Sequence, residues 1–182
     1  MADRIFEALL IHKVRILRPQ TGSRRDRNLR QPAYVPVYPQ AQKGRVMPLR
    51  VETEQTILGA FPGATHALFT GVLDIRPQYR VRRELAMTKL VEPTQPGILS
   101  AQLQTVSQVQ PGQVLMLSFE GQTEAVSVES VSGSVVTLRQ ALDKGFPAGA
   151  DVEVLEEYEV LGVEDEGGAG HHLKSILRLV EA

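Results

Sequence analysis

Five arginines crowd one stretch near the start of the chain. In "LRPQTGSRRDRNLRQPAYVPVY", residues 17–38, Arg18, Arg24, Arg25, Arg27 and Arg30 surround a single acid, Asp26. A guanidinium is permanently charged and grips phosphate or carboxylate through a fork of N–H donors. The chemistry on offer is therefore anion binding, and three readings are open: a nucleic-acid backbone, an acidic protein neighbour, or solvent alone. Sequence-specific DNA reading calls for a helix or ribbon in the major groove, and this segment is a loop. Sequence-neutral phosphate contact needs only mobile positive charge. A single-strand platform would also need stacking aromatics, and Tyr34 and Tyr38 are the only ones nearby.

Other chemistries lack their parts. The chain has no cysteine, which removes disulfides, thiolate metal sites and cysteine nucleophiles together. Of the four histidines, His171 and His172 are adjacent, and on a strand they would point to opposite faces rather than share a metal. The stretch "DEGGAGHHLKS" looks like a phosphate-binding glycine loop at first sight. Yet Asp165 and Glu166 stand just before the glycines and would repel an anion, and the spacing fits neither phosphate-loop pattern. No GxSxG or SxxK motif supplies a serine nucleophile. The expectation is a protein that is not an enzyme and takes no metal or cofactor.

Hydrophobic residues make up 42% of the 182 and charged residues 23%, so the chain can bury a core, as one domain or two small ones. Without tryptophan and with few aromatics, that core must be mostly Val and Leu. Near the N-terminus, Asp3 and Glu7 interrupt the apolar run of "MADRIFEALLIHKVRI", which excludes a secretory leader. No stretch reaches the roughly 18 apolar residues of a membrane helix. A soluble protein is expected.

The net charge of −1 hides an asymmetry. From Lys13 to Arg30 the charges are almost all basic, whereas Glu153, Glu156, Glu157, Glu159, Glu164, Asp165 and Glu166 form an acidic run with no base among them. A monomer can solvate both. A head-to-tail ring would set the basic patch of one subunit against the acidic patch of the next.

The elements that must carry these charges are mostly strands. "HKVRILRP" alternates, with Val14 and Ile16 on one face and Lys13, Arg15 and Leu17 on the other. "AYVPVYPQAQKGRVMPL" is extended but scattered with prolines, which suits an irregular or edge strand. "VETEQTILGAF" predicts one short helix, capped near Thr53 and stopped by Gly59. Strands follow at His66–Thr70 and Tyr79–Arg82. Beyond Glu84 the character changes, and "VEPTQPGILSAQLQ" reads as a junction. Turns at Gly121-Gln122 and Ser132-Gly133 then divide a meander of Val114–Phe119, Ala125–Val131 and Val135–Leu138. A strand at Val152–Leu155 closes the meander. A terminal hairpin pairs Tyr158–Val163 with His172–Val180. The fold class expected is mainly β, a small β-barrel core with one short helix and an inserted small β-domain.

Two separated pieces together resemble a known family: "HKVRILRPQTGSRRDRN…YVPVYPQAQKGRVMPLRVETEQTILGAFPGATHALFTGVLDIRPQYRV" and "YEVLGVEDEGGAGHHLKSILRL". Their order of strand, long loop, strand, short acidic helix and paired strands is similar to that of the head–tail joining, or head-closure (stopper), proteins of long-tailed bacteriophages. Ordinary members are about the size of residues 1–92 and 157–182 joined together. This chain departs from them by carrying residues 93–156 in between, read as an inserted β-domain at a loop that tolerates one.

The resemblance implies a structural virion protein, made in the host cytoplasm. It would form a homo-oligomeric ring in the phage neck, below a portal or adaptor ring and above a tail terminator or tail tube. Such rings help to retain packaged DNA, touched without sequence specificity, and dock the tail. In some members one barrel loop narrows the channel. Here either the arginine loop or the segment Glu52–Ala64, with Glu52, Glu54, Gln55 and Phe61, could face the lumen. A tail-terminator ring protein and a β-barrel nucleic-acid-binding module using the basic loop are the alternatives.

Overall fold

A computed structural model describes residues 8–20, 34–50, 59–165 and 172–180. The chain is mainly β, with eleven strands in this order: β1 His12–Pro19, β2 Tyr34–Pro36, β3 Gln42–Pro48, β4 His66–Thr70, β5 Arg80–Lys89, β6 Ser100–Gln102, β7 Val114–Phe119, β8 Gln122–Ser132, β9 Val135–Leu138, β10 Asp151–Asp165 and β11 Leu173–Leu179. It divides into two compact units. The first comprises Met1–Arg83 and Glu157–Leu179, the second Glu84–Glu156 and Val180–Ala182. The division falls inside β5 and inside β10.

The first unit is a closed six-stranded barrel. Its strands hydrogen-bond in the cyclic order β1, β3, β4, β11, β10, β5 and back to β1. Closure leaves the barrel strands no open edge, and β2 adds alongside β1. The prolines that made this region look irregular sit where a missing N–H matters least. Pro36 and Pro48 are each the last residue of their strand, and Pro39 lies in the bend between β2 and β3. Val14, Ile16, Val46, Leu68, Val81 and Tyr158 fill the interior, with the His66 ring edge-on to Tyr158 at 4.9 Å between centroids.

Two glycines let this small barrel close. A Cβ at Gly44 of β3 would lie 2.8 Å from Leu68 Cδ1 and 3.2 Å from Val14 Cγ2, so the interior has no room for one. A Cβ at Gly162 of β10 would lie 2.5 Å from two atoms of the Phe61 ring. Gly162 sits where the β10–β11 register shifts, and the bulge exposes its backbone to that ring.

The second unit has its own aliphatic core, including Leu103, Leu115, Leu117, Val128, Leu138 and Phe146. Strands β10, β7, β8, β9 and β6 pair in succession, and a bridge between Leu90 and Leu103 returns the path to the end of β5. The β7–β8 turn is Glu120-Gly121, one residue earlier than the sequence suggested, and both residues have positive φ as a tight two-residue hairpin requires.

Several expectations change. Val152–Leu155 and Tyr158–Val163 are parts of one strand, β10, because the intervening acids do not turn the chain. β5 likewise runs seven residues past Arg82, to Lys89. Leu17, placed by alternation on the polar face, is buried between β2 and β5, opposite Pro36 and Arg80. The terminal hairpin forms as expected, with β10 pairing antiparallel to β11. Of the expected helix, residues 51–58 lie outside the described residues, and Gly59 and Ala60 are helical.

Replacing Gly162 with alanine should destabilise the barrel by about 1–3 kcal/mol, as overpacking does. Phe61→Ala in the same chain should recover part of that loss. Urea denaturation of the two single variants and the double variant measures the coupling, and simple additivity would refute the Gly162–Phe61 contact.

Candidate functional site

The barrel strands repeat one short pattern: Lys13-x-Arg15 on β1, Lys43-x-Arg45 on β3 and Arg80-x-Arg82 on β5. The residue between, Val14, Gly44 or Val81, is buried, so the two-residue period of a strand turns every one of these bases outward. The register then sets like charges side by side. Lys13 lies directly opposite Lys43, and Arg15 directly opposite Arg82. Opposed like charges disfavour the pairing that folding imposes. Farther round, Arg45 is opposite Phe69, which is opposite Lys174, and the Lys174 ammonium lies 5.8 Å from the Phe69 ring centroid.

One side of this basic face is neutralised from within. Arg82 Nε donates to Glu157 Oε2 at 2.6 Å, and Arg80 Nη1 lies 3.7 Å from the other carboxylate oxygen, an ion pair too long for a hydrogen bond. The Glu157 side chain is 13% exposed. Arg80 is further fixed by Tyr34, whose hydroxyl accepts from Nε at 3.3 Å and whose ring lies 5.3 Å under the guanidinium. Arg178 donates to Glu159 at 2.5 Å, and Glu164 stands opposite Lys174. Arg18, Lys43 and Arg45 make no ion pair among the described residues.

Beside this face, Arg18, Gln20, Val35, Arg76, Gln78 and Tyr79 line an open groove of about 380 Å³. Asp74 aims Arg76 into place, accepting from its Nε at 2.8 Å, while the Asp74 N–H donates to the Tyr38 hydroxyl at 2.6 Å. The hydrogen bond from Arg76 Nε to the Asp74 carboxylate, and then the Asp74 charge, raise the pKa of the already cationic Arg76.

The residues singled out from sequence are distributed as follows. Arg18 is exposed at the end of β1 and lines the groove, while Arg24, Arg25, Arg27 and Arg30 lie outside the described residues. Phe61 packs on Gly162, and Glu52, Glu54 and Gln55 lie outside the described residues. The acidic run is shared between the two units. Glu156 falls in the second unit, Glu157 and Glu159 hold arginines of the barrel, Glu164 is exposed, Asp165 ends β10, and Glu166 lies outside the described residues.

What the sequence reading missed is the scale of the charge separation. The first unit carries seventeen Lys and Arg against eleven Asp and Glu, a formal +6, and the second three against ten, a formal −7. Glu92, Glu120 and Glu129 of the second unit are exposed and make no ion pair among the described residues. Among the described residues no three His, Asp or Glu side chains gather as metal ligands, and no helix is long and apolar enough to cross a membrane. No protein-family model and no curated protein matches the chain.

Two substitutions separate the paired side of the face from the open side. Glu157→Gln strands two partly buried guanidiniums and should cost about 1–3 kcal/mol. Lys43→Glu replaces a like-charge neighbour of Lys13 with an opposite one and should stabilise the chain by about 0.5 kcal/mol. Urea denaturation at low salt reads both. A Glu157→Gln variant as stable as the parent would contradict the first assignment.

Proposed function

We propose that the chain is a structural protein of the neck of a long-tailed bacteriophage, a head–tail joining protein of the stopper type. In this reading it forms a ring between a portal or adaptor ring and the tail, helps to retain packaged DNA, and docks a tail terminator or tail tube. The observation that carries the proposal is the barrel. The two separated stretches in which the resemblance resides, residues 12–81 and 158–179, contain β1, β3, β4 and β11 whole, the start of β5 and the part of β10 that pairs with β11, and the segment between them has a core of its own. Its role would be positional rather than chemical, and no reaction is assigned to it.

The barrel's basic face and groove would meet an acidic protein ring or the DNA in the channel. An acidic ring suits the face better, because a strongly basic lumen would hold back DNA that must later leave. The opposed cations also favour a second reading, a nucleic-acid-binding module. Phosphates of any sequence would pair with exposed cations such as Arg18 and Lys43.

Electron microscopy of particles made by a phage lacking this gene tests the proposal. Tailless heads that have lost their DNA, beside normal free tails, are expected. Tails of abnormal length on filled heads would instead indicate a tail terminator. Normal infectious particles would refute the neck assignment.

A further inference from the structure

We infer that copies of this chain associate head to tail, the acidic second unit of one copy seating on the basic outer face of the next copy's barrel. The inference rests on the neck reading only for its setting, a ring of identical subunits. Its argument is electrostatic. A formal +6 and a formal −7 reside in separate units of one chain, and residues on both sides remain uncommitted. Arg18 and Lys43 on the barrel are exposed, and Arg45 is half-buried. Glu92, Glu120 and Glu129 on the second unit are exposed. None of these six makes an ion pair among the described residues.

The same charges argue against a nucleic acid as the occupant. A polyanion is drawn in over distance by net positive charge, and the whole chain carries −1. Two copies oriented head to tail instead present complementary potentials, which steer association and fix its register. A contact between unlike surfaces is heterologous. Repetition of it closes a ring or extends a filament, where a two-fold contact would stop at a dimer.

Sedimentation velocity of the full chain tests this. At about 10 mM salt, where the Debye length is about 30 Å, species larger than a monomer are expected, and at about 1 M they should dissociate. The variant R18E/K43E/R45E loses the basic face, and E92K/E120K/E129K loses the acidic one. Each alone should be monomeric at low salt. Mixed, they retain one good surface apiece and should form a one-to-one dimer that grows no further. The single variants K43E and E120K, each expected to weaken association several-fold, serve if a triple variant fails to unfold cooperatively by circular dichroism.

A wild-type chain that stays monomeric at low salt would overturn the inference. So would a mixture of the variants that does not pair, or a wild type that binds a DNA duplex in preference to itself. The two readings fail separately. Tailless particles from the gene deletion with a monomeric chain would remove this contact and leave the neck role. Salt-sensitive pairing with normal particles would do the reverse.

Discussion

Glu157 ties β10 to β5 within the barrel. It lies in β10 immediately after Glu156, a pair of acids where a solvated break in the chain would be unremarkable. Arg80 and Arg82 on β5 close on its carboxylate, and with that charge compensated β10 continues without interruption from Asp151 to Asp165. Much follows from that continuity. Residues 151–155 pair with β7 in the second unit, and residues 158–165 pair with β11 in the barrel. A carboxylate with modest exposure and two guanidiniums near it is worth more than a surface pair, because neither side could be left alone without a desolvated charge.

Charge is then sorted along the chain in a way that total composition conceals. The barrel uses Glu157 and Glu159 to hold arginines, leaving its β1 and β3 surface basic, while the second unit has ten acids and three bases. Each unit also has a separate aliphatic core. Separate cores let most of the charge stay on the surface of its own unit, with Glu157 and Lys174 the more buried exceptions.

Much of the fold was legible, for identifiable reasons. β4, β7 and β9 match their sequence readings residue for residue, because each is a short apolar run with a Gly or Ser turn close to at least one end. β10 and β5 were read too short because their polar stretches resemble turns until the partner strand supplies opposite charge. Gly162 carried no mark, since its requirement comes from a ring about one hundred residues away. The candidate site was half legible. The repeated K-x-R of β1 and β3 is visible to inspection and its period puts both bases outward, but only the strand register sets Lys13 against Lys43. The arginines of the 23–30 loop drew the eye by number, whereas the described basic face is assembled from pairs that look ordinary in isolation.

A face of opposed like charges can persist only on a scaffold that cannot slide away from it. On an open sheet, a one-residue slip would separate Lys13 from Lys43, and the register would drift toward whichever pairing relieved the repulsion. The barrel blocks this in two ways. Closure means that a shift of β1 must be matched by every other strand. The interior also accepts only one register, because Gly44 alone leaves room for Leu68 and Val14, and moving β3 by one residue would drive Lys43 or Arg45 into that space. The interior thus enforces the exterior. A repulsion of about 0.2–1 kcal/mol per pair is small beside the burial it would have to undo, so the barrel interior can hold Lys13 opposite Lys43 on its outer surface.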